Sequence, residues 1–249
     1  MNRWLLALAL VITAGCSGGG PDMSSRAITF VTGDGVTIHA TVYPAANPNP
    51  PGLILVPMLG ASRDTWNRFA LTAQANGYQC IAIDVRGHGE STLKQGEKIS
   101  HRTFTAPDWL NTAQDIAAAK QALIESGADP KNIAIAGASI GGNLALQYAV
   151  EDAQMQAVVM LSPGLDYRGV GSEAPMRAMS SRPVLLLTGV DDAYSAETCR
   201  ALKPLAQGHC EIREYDGAAH GTDILDAHPM SADQILLWLS AIIGPEGGV

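Results

Sequence analysis

The apolar run Ile133-Ala134-Ile135-Ala136 passes without a linker into Gly137-Ala138-Ser139-Ile140-Gly141, and that segment into the helix-forming stretch Asn143-Leu144-Ala145-Leu146-Gln147-Tyr148. A strand that becomes a helix this abruptly admits almost no side chains at the bend. The two glycines meet that demand, because larger groups there would collide with neighbouring elements. The turn is expected to present Ser139 at a helix N-terminus, where the dipole favours developing negative charge. A serine in that place is also an ordinary helix cap, so the rest of the chain has to decide between the two roles.

Around this turn, short apolar runs alternate with amphipathic stretches. Arg26–Val31 and Val36–Tyr43 flank Gly33-Asp34-Gly35 and read as a hairpin. Further strands are expected over Leu53–Val56, Gln79–Val85, Asn132–Ala136, Gln156–Leu161, Pro183–Thr188 and Cys210–Tyr215. Helices are expected over Ser62–Asn76, Asp108–Ser126, Ile140–Glu151, Ala196–Leu205 and Ser231–Ile243. Asp108–Ser126 carries Trp109, Ala113, Ile116, Ala117, Leu123 and Ile124 on one face, with Thr105 as its cap. A hairpin followed by alternating strands and helices predicts the α/β class: a mostly parallel sheet with helices on both faces, in one domain over residues 26–249. Ser162–Arg182 has no clear pattern and suffices for a loop or one helical turn, giving a minimal cap.

A serine nucleophile needs a base, and the base needs an orienting acid. After a strand-turn-helix serine these follow in the order Ser, Asp or Glu, His, each on a loop behind a later strand. Pro183–Thr188 runs into Gly189-Val190-Asp191-Asp192, and Cys210–Tyr215 runs into Asp216-Gly217-Ala218-Ala219-His220-Gly221. Order and placement agree with a Ser139, Asp192, His220 triad. Asp191 is the rival acid, one residue away. His88 precedes the serine and so breaks the order. His228 precedes Pro229 and reads as a helix-approach residue, while His39, His101 and His209 read as surface residues and Asp223 as a solvated carboxylate.

With these residues assembled, the chain resembles the α/β-hydrolase family over roughly residues 26–243. Asp84-Val85-Arg86-Gly87-His88-Gly89-Glu90-Ser91 is similar to the family's D-x-R-G-H-G-x-S segment, Gly189-x-x-Asp192 to its acid loop and Ala219-His220-Gly221 to its histidine loop. The short region after Leu161 and the His220-Gly221-Thr222 run look like the small dienelactone-hydrolase and esterase branch. The resemblance implies a serine hydrolase acting on carboxylic esters through an acyl-enzyme, with Asp192 three after its glycine as the acid. It implies an oxyanion hole built from the Ile140 amide and one from the loop after Leu53–Val56. There Pro57-Met58 stands where the family usually has His-Gly, which makes Leu59 or Met58 the second donor. Met58, Leu59, Trp66, Met176, Met179 and Tyr194 are expected near the site, as an apolar pocket or as cover for the core. This chemistry requires no metal and no organic cofactor. The alternative is a tethered, non-catalytic binding protein on the same scaffold, and thioesterases, lactonases and acyltransferases share the triad.

Arg3, the apolar run Trp4–Ile12 and the small residues Thr13-Ala14-Gly15 form the three parts of an export signal over residues 1–15. The run is too short to span a bilayer, which takes about 20 residues. Cys16 follows directly, an arrangement that resembles the lipobox of bacterial lipoproteins. It implies lipidation at Cys16, a flexible tether over residues 16–25 and a domain held at a membrane of the cell envelope. Export would place Cys199 and Cys210 where they could pair, whereas Cys80 opens a buried strand. No two cysteines have C-x2-C spacing, which argues against structural zinc. With 16 Lys+Arg against 24 Asp+Glu and no basic run, the chain offers no footprint for nucleic acid, and the partner left is a small-molecule ester.

Overall fold

The computed structural model describes residues 23–245 of the chain; the expected export signal over residues 1–15 and the expected lipidation site Cys16 lie outside the described residues. In chain order the elements are β1 (Arg26–Val31), β2 (Val36–Tyr43), β3 (Gly52–Val56), α1 (Asn67–Ala75), β4 (Gln79–Ile83), β5 (Leu93–Lys94), β6 (Glu97–Lys98), α2 (Ala106–Leu110), α3 (Ala113–Glu125) and β7 (Ile133–Ala138). They continue as α4 (Ile140–Glu151), β8 (Met155–Leu161), β9 (Asp166–Tyr167), β10 (Val170–Gly171), α5 (Glu173–Ala178), β11 (Val184–Gly189), α6 (Ala193–Leu202), β12 (Cys210–Tyr215), α7 (Asp223–Ala227) and α8 (Met230–Ile243).

The main sheet runs β12-β11-β8-β7-β3-β4-β2-β5-β6, with β1 on β2. From β12 to β4 all neighbours are parallel, and the hairpin end is antiparallel. The central strands are buried on both faces, so alternate residues feed two cores. In β7, Ile133 and Ile135 face a core shared with α2, α3, α4, α5 and α6, while Ala134, Ala136 and Ala138 face one shared with α1, α7 and α8.

Three expectations are corrected. The helix expected over Asp108–Ser126 is two, because the chain tightens at Asn111-Thr112, where Gln114 N–H donates to Asn111 O and Asp115 N–H to Thr112 O. The tightening leaves Ala117 outside and brings Ala119 and Asp115 inside. Thr105 is the expected N-cap, though of the short α2: its N–H and hydroxyl both donate to Asp108 Oδ2, at 2.9 and 2.6 Å. Cys199 and Cys210 are free thiols, Cys199 buried on the inner face of α6. Trp66, Met176 and Met179 are core residues with exposures of 0%, 0% and 1%, so they form no pocket.

Candidate active site

Serine, acid and histidine all sit beyond the C-terminal ends of parallel strands: Ser139 after β7, Asp192 after β11 and His220 after β12. Ser139 takes φ 53° and ψ −125°, a left-handed backbone uncommon for a residue with a side chain. Both glycines of the turn are dictated by contact. A Cβ on Gly137 would lie 2.1 Å from Gly141 O, and one on Gly141 would lie 2.3 Å from Pro57 O. Ser139 N–H donates to Leu161 O at 2.7 Å, which ties the turn to the end of β8.

His220 bridges the other two groups. Its Nδ1 is 2.7 Å from Asp192 Oδ2 and its Nε2 is 2.8 Å from Ser139 Oγ. With Nδ1 donating to the carboxylate, Nε2 is left to accept from the hydroxyl. Asp191 is exposed, and only its N–H contributes, donating to Gly217 O at 3.0 Å. That bond, with Val190 N–H to Tyr215 O at 2.8 Å, fastens the acid loop to the histidine loop.

The loop after β3 closes on itself through Ala61 N–H to Met58 O at 3.1 Å. Among the described residues, neither the Met58 nor the Leu59 N–H donates to a protein group, so both remain open to a ligand oxygen, as does the first-turn N–H of Ile140 at the start of α4. The Met58 side chain lies against Gly221, whose added Cβ would meet its sulfur at 2.8 Å. Leu59 and Tyr194 are exposed. Asp84 fixes the far end of this loop: its carboxylate accepts the Arg63 N–H at 2.6 Å and the Glu90 N–H at 2.9 Å, and pairs with the Arg63 guanidinium.

The rest of the segment around Asp84 is a buried lock. Arg86 donates through its backbone N–H and Nε to Asp115, at 2.8 and 2.9 Å, and through Nη1 to Asp34 at 2.9 Å. Burial raises the Asp115 carboxyl to about 6 even though Arg86 pulls it down. His88 is buried and takes no part in the hydrogen bonds of Ser139, Asp192 and His220. It stacks on His101 at 4.1 Å and meets the edge of Trp109, and burial pushes its pKa down to about 4. His101, expected at the surface, is thus half-buried in this stack. His228 stacks on Tyr215 at 5.0 Å and bonds Asp216 O, and Asp223 is exposed at the start of α7.

Three residues of the site escaped the sequence reading. Ser162, at φ 51°, accepts the Gly221 N–H on its Oγ at 2.9 Å and so holds the histidine loop. Asn143, fully buried on α4, bonds Gly164 O, Val170 O and Gly164 N–H, pinning the β9–β10 hairpin over the site. That hairpin carries Tyr167, whose ring stands edge-on to the His220 imidazole at 6.5 Å. Only the Ser162-Pro163-Gly164 run behind β8 hinted at a tight turn there. Among the described residues no cluster of three or more His, Cys, Asp or Glu is arranged to hold a metal. A hollow of about 1050 Å³ lies between the 45–51 loop, α1 and α8, and no triad residue lines it.

The profile of the serine aminopeptidase S33 hydrolases matches residues 53–180, just over half of the chain and including Ser139. The chain belongs to this hydrolase family. Its fold is the α/β-hydrolase fold, shared with DcsB in complex with a substrate analogue, at 17% identity and TM-score 0.75 over 88% of this chain and 99% of that one. It is likewise similar to an acetyl xylan esterase from Paenibacillus, at 18% identity and TM-score 0.70 over 88% and 84% of the two chains. A dienelactone hydrolase from Anabaena variabilis gives 20% identity and TM-score 0.68 over 88% and 95%. No curated protein sequence matches the chain.

Proposed function

We propose that this S33-type hydrolase cleaves carboxylic esters of small molecules through an acyl-enzyme on Ser139. One observation carries the reading: a single imidazole bridges the Ser139 hydroxyl and the Asp192 carboxylate at 2.8 and 2.7 Å. As Ser139 Oγ attacks the ester carbonyl, His220 Nε2 takes its proton, while Asp192 holds the ring in the required tautomer. The Ile140 amide and that of Leu59 or Met58 receive the oxyanion. His220 then gives its proton to the departing alcohol, and water repeats the sequence on the acyl group. The family profile is described by a peptidase, yet solved structures similar to this chain include esterases, and the cap is one small hairpin with a six-residue helix. An ester substrate therefore fits better than a peptide.

The test compares 4-nitrophenyl acetate and butyrate with aminoacyl anilides, on wild type and Asp192→Asn. Ester turnover that falls by about 10⁴ in kcat in the variant is expected. Turnover of amides alone, or an unaffected variant, would refute the reading. We propose further that the mature chain begins at a lipidated Cys16 and acts at a cell-envelope membrane. Labelled palmitate should enter the wild type and not Cys16→Ser, and equal labelling of both would contradict the anchor.

A further inference from the structure

The Tyr167 hydroxyl is held close to the triad without being tightly bonded to anything. Its contacts to Ser162 O and Ser195 Oγ are both 3.4 Å, whereas O–H···O bonds cluster at about 2.7–2.8 Å. Ser139 Oγ itself is engaged by His220 Nε2 at 2.8 Å. The ring, in contrast, is fixed. It packs edge-on to Tyr194 at 5.7 Å, lies against Gly164 so closely that an added Cβ would be 2.6 Å from it, and is carried by the hairpin that Asn143 pins. A fixed donor with loose partners is free to exchange them for a better acceptor.

Topology tells which acceptor. β7, which carries the serine, lies between β3 and β8. The Met58-Leu59 amides follow β3 and Tyr167 follows β8, so the oxyanion donors and the tyrosine approach Ser139 from opposite flanks. The Tyr167 ring also stands edge-on to the His220 imidazole, 6.5 Å between centroids, and it is this imidazole whose Nε2 hands the departing alcohol its proton.

We infer that Tyr167 is a hydrogen-bond donor to the leaving-group oxygen of the ester, an inference that rests on the proposed ester hydrolysis. In the acylation step the Ser139 Oγ–carbonyl carbon bond forms and the carbon–alkoxy oxygen bond breaks. The serine proton passes to His220 Nε2 and from there to the alkoxy oxygen. Tyr167 keeps its own proton and stabilises the negative charge that gathers on that oxygen before the proton arrives. Such help matters for a poor leaving group and little for a good one. Tyr167 thereby adapts the site to esters of ordinary alcohols.

The experiment measures kcat/KM for acetate esters whose leaving groups run from 4-nitrophenol to simple alkyl alcohols, on wild type and Tyr167→Phe. This substitution keeps the ring contacts. Alkyl esters should slow by about tenfold to a hundredfold, and 4-nitrophenyl acetate by no more than about threefold. A loss equal across the series would show that the hydroxyl only positions the hairpin, and no loss would show that it does nothing; either overturns the inference. A fluorophosphonate probe separates the two readings. If the wild type does not react at Ser139, the ester-hydrolase reading itself falls. If both proteins react at similar rates yet respond alike to leaving group, only the role of Tyr167 falls.

Discussion

Asn143→Ala tests whether the hairpin over the site is a fixed part of the machinery. The side chain is completely buried and makes three hydrogen bonds, to Gly164 O at 2.8 Å, Val170 O at 2.7 Å and from Gly164 N–H at 3.2 Å. At about 0.5–1.5 kcal/mol net for each of the three bonds, their loss amounts to about 1.5–4.5 kcal/mol, offset by at most about 0.7 kcal/mol from the better helix propensity of alanine in α4. Gly164 O keeps the Ser172 Oγ bond at 2.7 Å, so the hairpin is weakened without losing every tie. The cost therefore falls first on local opening of residues 164–171, which carry Tyr167 beside His220. Hydrogen exchange read by mass spectrometry should show this segment opening at least tenfold more often. Urea unfolding should show a smaller global loss, and kcat/KM for alkyl esters should fall. Unchanged exchange at 164–171 together with a stability loss under about 1 kcal/mol would refute the reasoning.

Other substitutions probe the scaffold beneath the site. Gly141→Ala forces a methyl within 2.3 Å of Pro57 O and 2.7 Å of Val56 O; thermal unfolding should report about 1–3 kcal/mol lost, and ester turnover should drop because relief displaces the Met58-Leu59 amides. Asp115→Ala leaves the buried Arg86 guanidinium with Asp34 alone, and denaturant unfolding should show a loss of about 3–5 kcal/mol. His88 titrates low because burial opposes its charge, pushed down to about 4 from the ordinary histidine value of 6.5. Between those values the unfolded chain binds a proton that the folded one refuses, so this contribution is complete above pH 6.5 and is lost as pH falls toward 4. Relative to His88→Gln, wild type should lose about 3 kcal/mol over that interval, and parallel stability curves would contradict it.

What the sequence made legible follows from local rules. The strand-turn-helix at Ser139 carries its own glycines, the acid loop follows the continuous apolar strand β11, and the histidine loop follows β12, where Cys210, Ile212 and Tyr215 are interleaved with charged residues. Asp192 rather than Asp191 meets His220, which spacing alone ranked without deciding. Ser162, Asn143 and Tyr167 were not legible. Ser162 acts across 59 positions of sequence and Asn143 across 21 and 27, while Tyr167 meets His220 only through the fold; one backbone angle and one hairpin bring them there and leave no periodic trace. The methionines Met176 and Met179 misled because apolar residues in an unpatterned segment look like pocket lining, whereas here they seat α5 on the core. The break at Asn111-Thr112 contains neither glycine nor proline, so nothing announced it.

The proposed chemistry requires an activated Ser139. A fluorophosphonate probe applied to the chain from Ser17 onward, with the modified peptide located by mass spectrometry, tests this directly. Modification at Ser139 in wild type, abolished in Ser139→Ala and strongly reduced in His220→Ala, is the predicted result. A folded protein that does not react, or reacts at another serine, would contradict it.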